Sequence, residues 1–270
     1  MNGLGARAAV TLRVMAEVEV TREGAVLRIT LNRPEVLNAI NGAVHRGIAA
    51  GLKEARDPEV RAVVITGAGR GFCVGQDLNE FREHPGSTGD MLRATYHPNI
   101  LAIRGLDKPV IAAINGPCAG AGVSLACACD LRIAGESASF IPGFVGIALV
   151  PDSGGSFFIA RLLGVARAFE WMTSNRKLSA HEAAEWGLVS AVVADADLAP
   201  HTAELAANYA AAPTRAIAMT KRLFDQAQLG TLEEQLELEE ELQTTATETA
   251  DFAEGVTAFR EKRPPGFSGR

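Results

Sequence analysis

Asp152 stands in the segment FVGIALVPDSGGSF, behind a proline and ahead of a glycine pair that can open a helix. Two readings of it are open. A short acid at a helix start can cap the free amides of residues 153–156. An acid partly buried beside apolar Phe144, Ile147 and Val150 holds its proton more readily, which suits a group that takes a proton from one atom and returns it to another. Two glycine-rich stretches, GAGRGFCVGQDL (67–78) and GPCAGAG (116–122), each follow a β-rich run. Taken singly, each is a tight turn joining strand to helix. Together they can bring backbone amides close to a ligand, and Ala121, opening the helix of VSLACACD, adds the partial positive charge of a helix N-terminus. Neither stretch has the Gly-Lys-Ser/Thr of a phosphate loop or the Rossmann glycine spacing, so nucleoside triphosphates and NAD are not expected ligands. His97, in TYHPNI, either lines a pocket or sits at a helix turn with Pro98, or else takes part in the chemistry. His45, His84, His181 and His201 have no partners suggested by spacing and read as surface or helix residues. Cys73, Cys118, Cys127 and Cys129 lack metal-ligand spacing and read as small buried residues, so no metal site is expected.

The elements that must position these groups alternate. Residues 16–21 and 25–31 read as a hairpin turning at Arg22-Glu23-Gly24, followed by a helix over 40–55 and a strand over 61–66. A helix over 91–106, a strand over 109–115 and another over 131–134 continue the pattern. From about Ser156 helices dominate, over 157–163, 166–174, 180–186, 198–211, 214–229 and 231–260, with Gly164, Gly187 and Pro213 among the breaks. The plan is an α/β core of ββα units over residues 16–200, with a leader over 1–15 and a helical C-terminal region over 201–270 that packs on itself or on a partner subunit.

With 270 residues, 47% hydrophobic and 21% charged, the chain can bury one substantial core. A net charge of −6 argues against a nucleic-acid surface. No apolar stretch is long enough for a signal peptide or a membrane span, so a cytoplasmic protein with no membrane partner is expected.

Read in order, LNRPEVLNAI, GAGRGFCVGQDL, KPVIAAINGPCAGAGVSLACACD and LSAHEAAEWGLVSAVV resemble the signature segments of the enoyl-CoA hydratase/isomerase (crotonase) superfamily across nearly the whole chain. The closing DFAEGVTAFREKRPPGFSGR is similar to the end of its ring 1,2-epoxyphenylacetyl-CoA isomerase branch. The resemblance implies a ββα spiral core, a C-terminal region used in trimerisation, and a homotrimer or dimer of trimers. It implies an acyl-CoA thioester as substrate, with coenzyme A part of that substrate and no separate cofactor. It places two oxyanion donors at the Gln76 and Ala121 amides, where loss of one donor is worth about 3 kcal/mol in the barrier. It gives Asp152 the place of the catalytic aspartate of isomerases. Hydratases use two glutamates to activate water, and the shared segments put Ser124 and Phe144 at those positions, which favours proton transfer by a single acid over hydration. The 4-chlorobenzoyl-CoA dehalogenases also place a histidine near His97 and an aspartate nucleophile at Asp152, but carry tryptophan near Phe144. A non-catalytic acyl-CoA- or RNA-binding relative is a further alternative, against which the acidic balance weighs. The resemblance also assigns Arg33, Val36 and Ala39 to coenzyme A, with Phe259 and Lys262 reaching a neighbouring subunit's coenzyme A. Taken alone, Lys262 and Arg263 are a solvated charged helix end.

Overall fold

The computed structural model describes residues 10–15, 17–83 and 86–270. The strands are β1 (Val10–Met15), β2 (Val18–Glu23), β3 (Val26–Leu31), β4 (Ala62–Gly67), β5 (Val110–Ile114), β6 (Pro117–Ala119), β7 (Leu131–Gly135), β8 (Ser139–Ile141), β9 (Leu178–Ser179) and β10 (Ala191–Val193). The helices are α1 (Gly42–Glu54), α2 (Leu78–Glu83), α3 (Thr88–Ala94), α4 (Tyr96–Arg104), α5 (Ala121–Ala128), α6 (Gly155–Leu163), α7 (Val165–Ser174), α8 (Ala180–Glu185), α9 (Leu198–Ala211), α10 (Thr214–Gln226), α11 (Leu232–Thr247) and α12 (Ala250–Glu261).

A seven-stranded sheet has the spatial order β1-β2-β3-β4-β5-β7-β10, and a three-stranded sheet has the order β6-β8-β9. The hairpin end of the large sheet is antiparallel, and pairing becomes parallel from β3 through β4, β5 and β7 to β10. That switch explains the two sequence patterns. β2 and β3 alternate buried and part-exposed residues, whereas β4 (AVVITG) and β5 (VIAAI) are buried on both faces and read as continuous apolar runs.

The expected leader over 1–15 is only partly described. Residues 1–9, like His84, lie outside the described residues, while Val10–Met15 form β1, paired antiparallel with β2. The helix expected over 91–106 breaks at Thr95, so the stretch between Leu78 and Tyr96 holds two short helices and α4 starts afresh at Tyr96. The helix expected over 231–260 breaks near Glu248–Thr249, where the Thr249 side chain caps α12.

The boundary at residue 201 falls inside α9. Leu198, Ala206 and Ala210 on that helix share a buried cluster with Val64 of β4, Ile111 of β5 and Ile133 of β7. α9 is therefore part of the core, because the sheet face opposite α1 and α4 needs an apolar cover. The separate helical layer begins with α10.

The C-terminal residues are tied back to that layer. Asp251, 4% exposed, accepts hydrogen bonds from the Ser268 amide (2.7 Å), the Ser268 hydroxyl (3.0 Å) and the Gly269 amide (2.8 Å). Arg61, just before β4, donates to the Phe267 carbonyl at 3.0 Å, to Thr214 Oγ1 at 2.9 Å and to the Ala212 carbonyl at 2.5 Å. Removing the acceptor at Asp251 strands the Ser268 and Gly269 donors, so Asp251→Ala is expected to lose roughly 1–3 kcal/mol of stability. Urea unfolding of the variant against the parent measures this, and an unchanged midpoint contradicts it.

Candidate active site

The Asp152 turn is built by two consecutive left-handed residues, Ser153 (φ 52°) and Gly154 (φ 81°), which swing the chain into α6. A non-glycine residue in this region carries strain of order 1–3 kcal/mol that the surroundings must hold. They do so through the backbone of Asp152, whose carbonyl accepts from the Gly155 amide at 2.7 Å and from the Ser124 hydroxyl at 2.9 Å. Ser124 is fully buried on α5. Its side chain is thus engaged in holding the Asp152 turn. The Asp152 carboxylate does not cap α6, whose N-cap is Gly154 with no side-chain cap bond, so the capping reading fails. Its Oδ1 accepts instead from the Ser153 hydroxyl at 2.9 Å.

Burial raises the Asp152 pKa above its ordinary value, and the Ser153 hydroxyl and the charge of His97 only partly oppose this. The apolar surroundings differ from expectation. Phe144 is 5% exposed, but Ile147 and Val150 are 54% and 76% exposed in the single chain. His97 lies exposed in the first turn of α4 and makes no hydrogen bond among the described residues, yet its charge reaches Asp152.

The two glycine-rich turns are pressed together. A β-carbon added at Gly75 (φ 88°) would stand 3.1 Å from the Ala121 nitrogen and 3.0 Å from the Ala119 carbonyl oxygen. One at Gly122 would stand 2.2 Å from the Cys73 carbonyl oxygen, so only glycine fits there without a shift. The chains are further joined by Ala119 N–H to Cys73 O at 2.9 Å and by a bridge between Cys73 and Cys118. Among the described residues, neither the Gln76 nor the Ala121 amide donates to a protein acceptor in these turns. Ala121 is the first residue of α5, where an unpaired amide adds to the positive end of the helix dipole.

The loop of residues 33–40 is fixed by contacts that the sequence reading missed. Asn38, fully buried in the left-handed region, accepts from the Arg33 amide and donates to the Ala68 and Gly71 carbonyls. The only local signal was that asparagine tolerates this conformation. Arg33 turns inward, donating to Asp77 Oδ2 at 2.9 Å and to the Ala39 carbonyl at 2.8 Å, with Glu17 at 3.5 Å. Its guanidinium serves the protein's own carboxylates rather than standing free for a phosphate. Val36 is 38% exposed and Ala39 is buried. Phe259 (85% exposed) and Lys262 lie on and just after α12, in the C-terminal layer, and are exposed there. The clefts of about 740, 540 and 470 Å³ are lined in part by α10 and contain none of the candidate site residues, and a fourth of about 370 Å³ in the C-terminal layer contains Phe259 alone of them. Among the described residues no cluster of three or more His, Cys, Asp or Glu could hold a metal, and no helix is long and apolar enough to cross a membrane. The four cysteines are free and buried, and His45, expected on a surface or helix, is a buried residue of α1.

This architecture is that of a crotonase-like α/β protein. The crystal structure of enoyl-CoA hydratase from Bacillus anthracis superposes with a TM-score of 0.89 at 33% identity, covering 94% of this chain and 100% of that one. Residues 21–270 match the enoyl-CoA hydratase/isomerase family, and the chain belongs to it. Among its relatives are a "Probable enoyl-CoA hydratase" of Rhodobacter capsulatus, 45% identical over 90% of this chain and 94% of that protein, and the 1,2-epoxyphenylacetyl-CoA isomerase of Escherichia coli, 42% identical over 92% and 97%.

Gly122→Ala forces the first turn of α5 away from Cys73, so a stability loss of about 1–3 kcal/mol and a fall in turnover are expected together; an unperturbed melting curve contradicts the packing argument. Because burial raises the folded pKa of Asp152, the ionised form subtracts from stability above that pKa. The penalty shrinks as pH falls through the folded value and vanishes below the ordinary 3.8. Asp152→Asn retains an acceptor for Ser153, so it should melt above the parent at neutral pH, with the gap closing on acidification. A gap that widens on acidification contradicts the sign.

Proposed function

We propose that the chain is an acyl-CoA isomerase, of enoyl-CoA or 1,2-epoxyphenylacetyl-CoA type, that moves a proton through Asp152 while the Gln76 and Ala121 amides hold the enolate oxygen. The observation that carries this is a half-buried carboxylate with a raised pKa standing without acidic neighbours at the positions hydration needs: these hold Ser124, bonded to the Asp152 backbone, and buried Phe144. In a 3-enoyl thioester, the Asp152 carboxylate takes a proton from C2 and the electron pair moves onto the thioester oxygen. The same proton is then delivered to C4 as the double bond settles between C2 and C3, and the carboxylate is regenerated. A raised pKa suits both halves of that transfer. The amide pair stabilises the charge between them, in a setting where preorganised donors outperform water.

A dehalogenase reading is favoured by the proximity of His97's charge to Asp152. In that chemistry the carboxylate attacks an aryl carbon, and the dehalogenases carry tryptophan near the place where this chain has the buried Phe144. The coenzyme A moiety runs along the loop of residues 33–40, with Val36 at its surface, Ala39 buried beneath, Arg33 bracing the loop from within, and Phe259 and Lys262 supplied by a neighbouring copy in a homotrimer or dimer of trimers. Large exposed side chains on the helical layer, including Phe224, Leu232 and Phe259, support such self-association. Phenylacetate breakdown is the corresponding metabolic setting, in the cytoplasm.

The test is a thioester panel in deuterated water containing 3-enoyl-, 2-enoyl-, dienoyl-, epoxyphenylacetyl- and 4-chlorobenzoyl-CoA. Isomerisation of a 3-enoyl, dienoyl or epoxide substrate is expected to exceed crotonyl-CoA hydration and chloride release. Asp152→Asn is expected to lose at least about a hundredfold in turnover, in keeping with the loss of a general acid–base, while still binding coenzyme A. Full activity in that variant, or chloride release as the fastest reaction, overturns the proposal.

A further inference from the structure

Tyr96 opens α4 beside His97 and is 4% exposed, so its hydroxyl is placed by packing rather than by solvent. That hydroxyl donates to Gln76 Oε1 at 2.7 Å, and the Gln76 Nε2 donates in turn to the Asp77 carbonyl at 3.3 Å. The long side chain of Gln76 is therefore stretched between α4 and its own turn. The turn is braced on its other side by Asp77, whose amide donates to the Ile40 carbonyl at 2.8 Å and whose carboxylate takes Arg33.

The wall behind Tyr96 is equally fixed. Its ring stands edge-on to His45 of α1, with centroids 4.2 Å apart and planes at 82°. Asn99 of α4 donates to the His45 carbonyl at 3.1 Å, and its side-chain nitrogen lies 3.3 Å from His45 Nδ1. Burial pushes the imidazole pKa down to about 4, so His45 is neutral and leaves the tyrosine uncharged company on that side. Burial, together with the charges of Asp152 and Glu80, raises the Tyr96 hydroxyl well above its ordinary value, so it stays protonated and remains a donor.

We propose that Tyr96 is a positioning residue that acts through the Gln76 side chain to fix the direction of the Gln76 backbone amide. The inference rests on the reading of that amide as one of the two enolate donors. The peptide that carries this amide follows Gly75, in the left-handed region, and is held from its carbonyl side, where Gly75 O accepts from the Ile40 amide at 2.7 Å. The Tyr96–Gln76 bond adds a second hold from the side-chain end, against rocking of the turn about that one bond, and His45 and Asn99 keep Tyr96 in place. Displacing a preorganised donor weakens it without removing it, so the loss is smaller than the 10²–10³ of a deleted donor.

The experiment is a double-mutant cycle on the full chain with a 3-enoyl-CoA substrate, using Tyr96→Phe, Gln76→Met and the pair. Tyr96→Phe is expected to lower kcat about tenfold with KM within about twofold, and Gln76→Met, which keeps the backbone amide but lacks the acceptor, to match it. The pair is expected to lose no more than either single variant, because both break one link. Losses that multiply, or an unchanged kcat in either single variant, overturn the proposal. Should Tyr96→Phe fold poorly, Gln76→Met, a change at a part-exposed turn, still decides it by its kcat against KM. Asp152→Asn, run beside them, separates the two ideas: full turnover there overturns the acid/base reading, whatever the cycle shows.

Discussion

The candidate site depends on one backbone contact, that between the first turn of α5 and the chain leaving β4. With no β-carbon at Gly122, the helix comes down directly onto the Cys73 carbonyl, and with none at Gly75 the opposite turn reaches the Ala121 nitrogen. α5 has little freedom to slide out of this contact, since all eight of its residues are buried and Gly155 of α6 sits against Ser124. Ala121 and Ser124 lie one turn apart on that helix. One offers its amide, and the other holds the Asp152 carbonyl. The donor turn and the acid are thus carried by a single rigid element, and a shift of α5 displaces both at once.

The electrostatics follow from what is kept apart. Arg33, which reaches the turn through Asp77, is occupied by Asp77 and Glu17. At Asp77 the burial that would raise its pKa is outweighed by Arg33 and by the amides of Asn79 and Glu80, so this carboxyl is held below the ordinary range. Asp152 has no such partner and moves the other way. Two aspartates on the flanks of one site therefore have opposite affinities for a proton. One braces the turn as a permanent anion, and the other has an environment that suits exchange.

Much of this plan was legible in the chain. Alternation in β2 and β3 and continuous apolar runs in β4 and β5 are local patterns, and α9 was located to the residue by its composition. Its role was not, because a stripe of Leu198, Ala206 and Ala210 does not say whether it covers the same domain or a partner; the answer lies in contacts with strands whose sequence positions are remote. The same limit hid the bracing of the site. Tyr96 to Gln76 spans 20 residues and Arg33 to Asp77 spans 44, and neither pairing leaves a trace in local spacing. A lone arginine in a loop reads as a phosphate cation until the carboxylate that claims it is seen. The expected neighbours of Asp152 failed for a related reason: Phe144, Ile147 and Val150 lie in one apolar run, but its 3-10 turn buries the first and leaves the other two exposed.

That exposure bears on how such a site could work. Proton transfer to and from carbon requires that the acid not exchange freely with water during the transfer, and backbone donors hold an enolate well only where water is excluded. In the single chain, Val145, Ile147 and Val150 present an apolar surface just before Asp152, and His97 is open to solvent. Apolar surface of this kind, next to a half-buried acid, is stabilised by being covered. An acyl group lying against Phe144 would cover part of it, and a neighbouring copy the rest. On the proposed reading, therefore, substrate and subunit contacts complete the raised pKa of Asp152 that the fold begins, and the acid is most strongly tuned only when the site is filled.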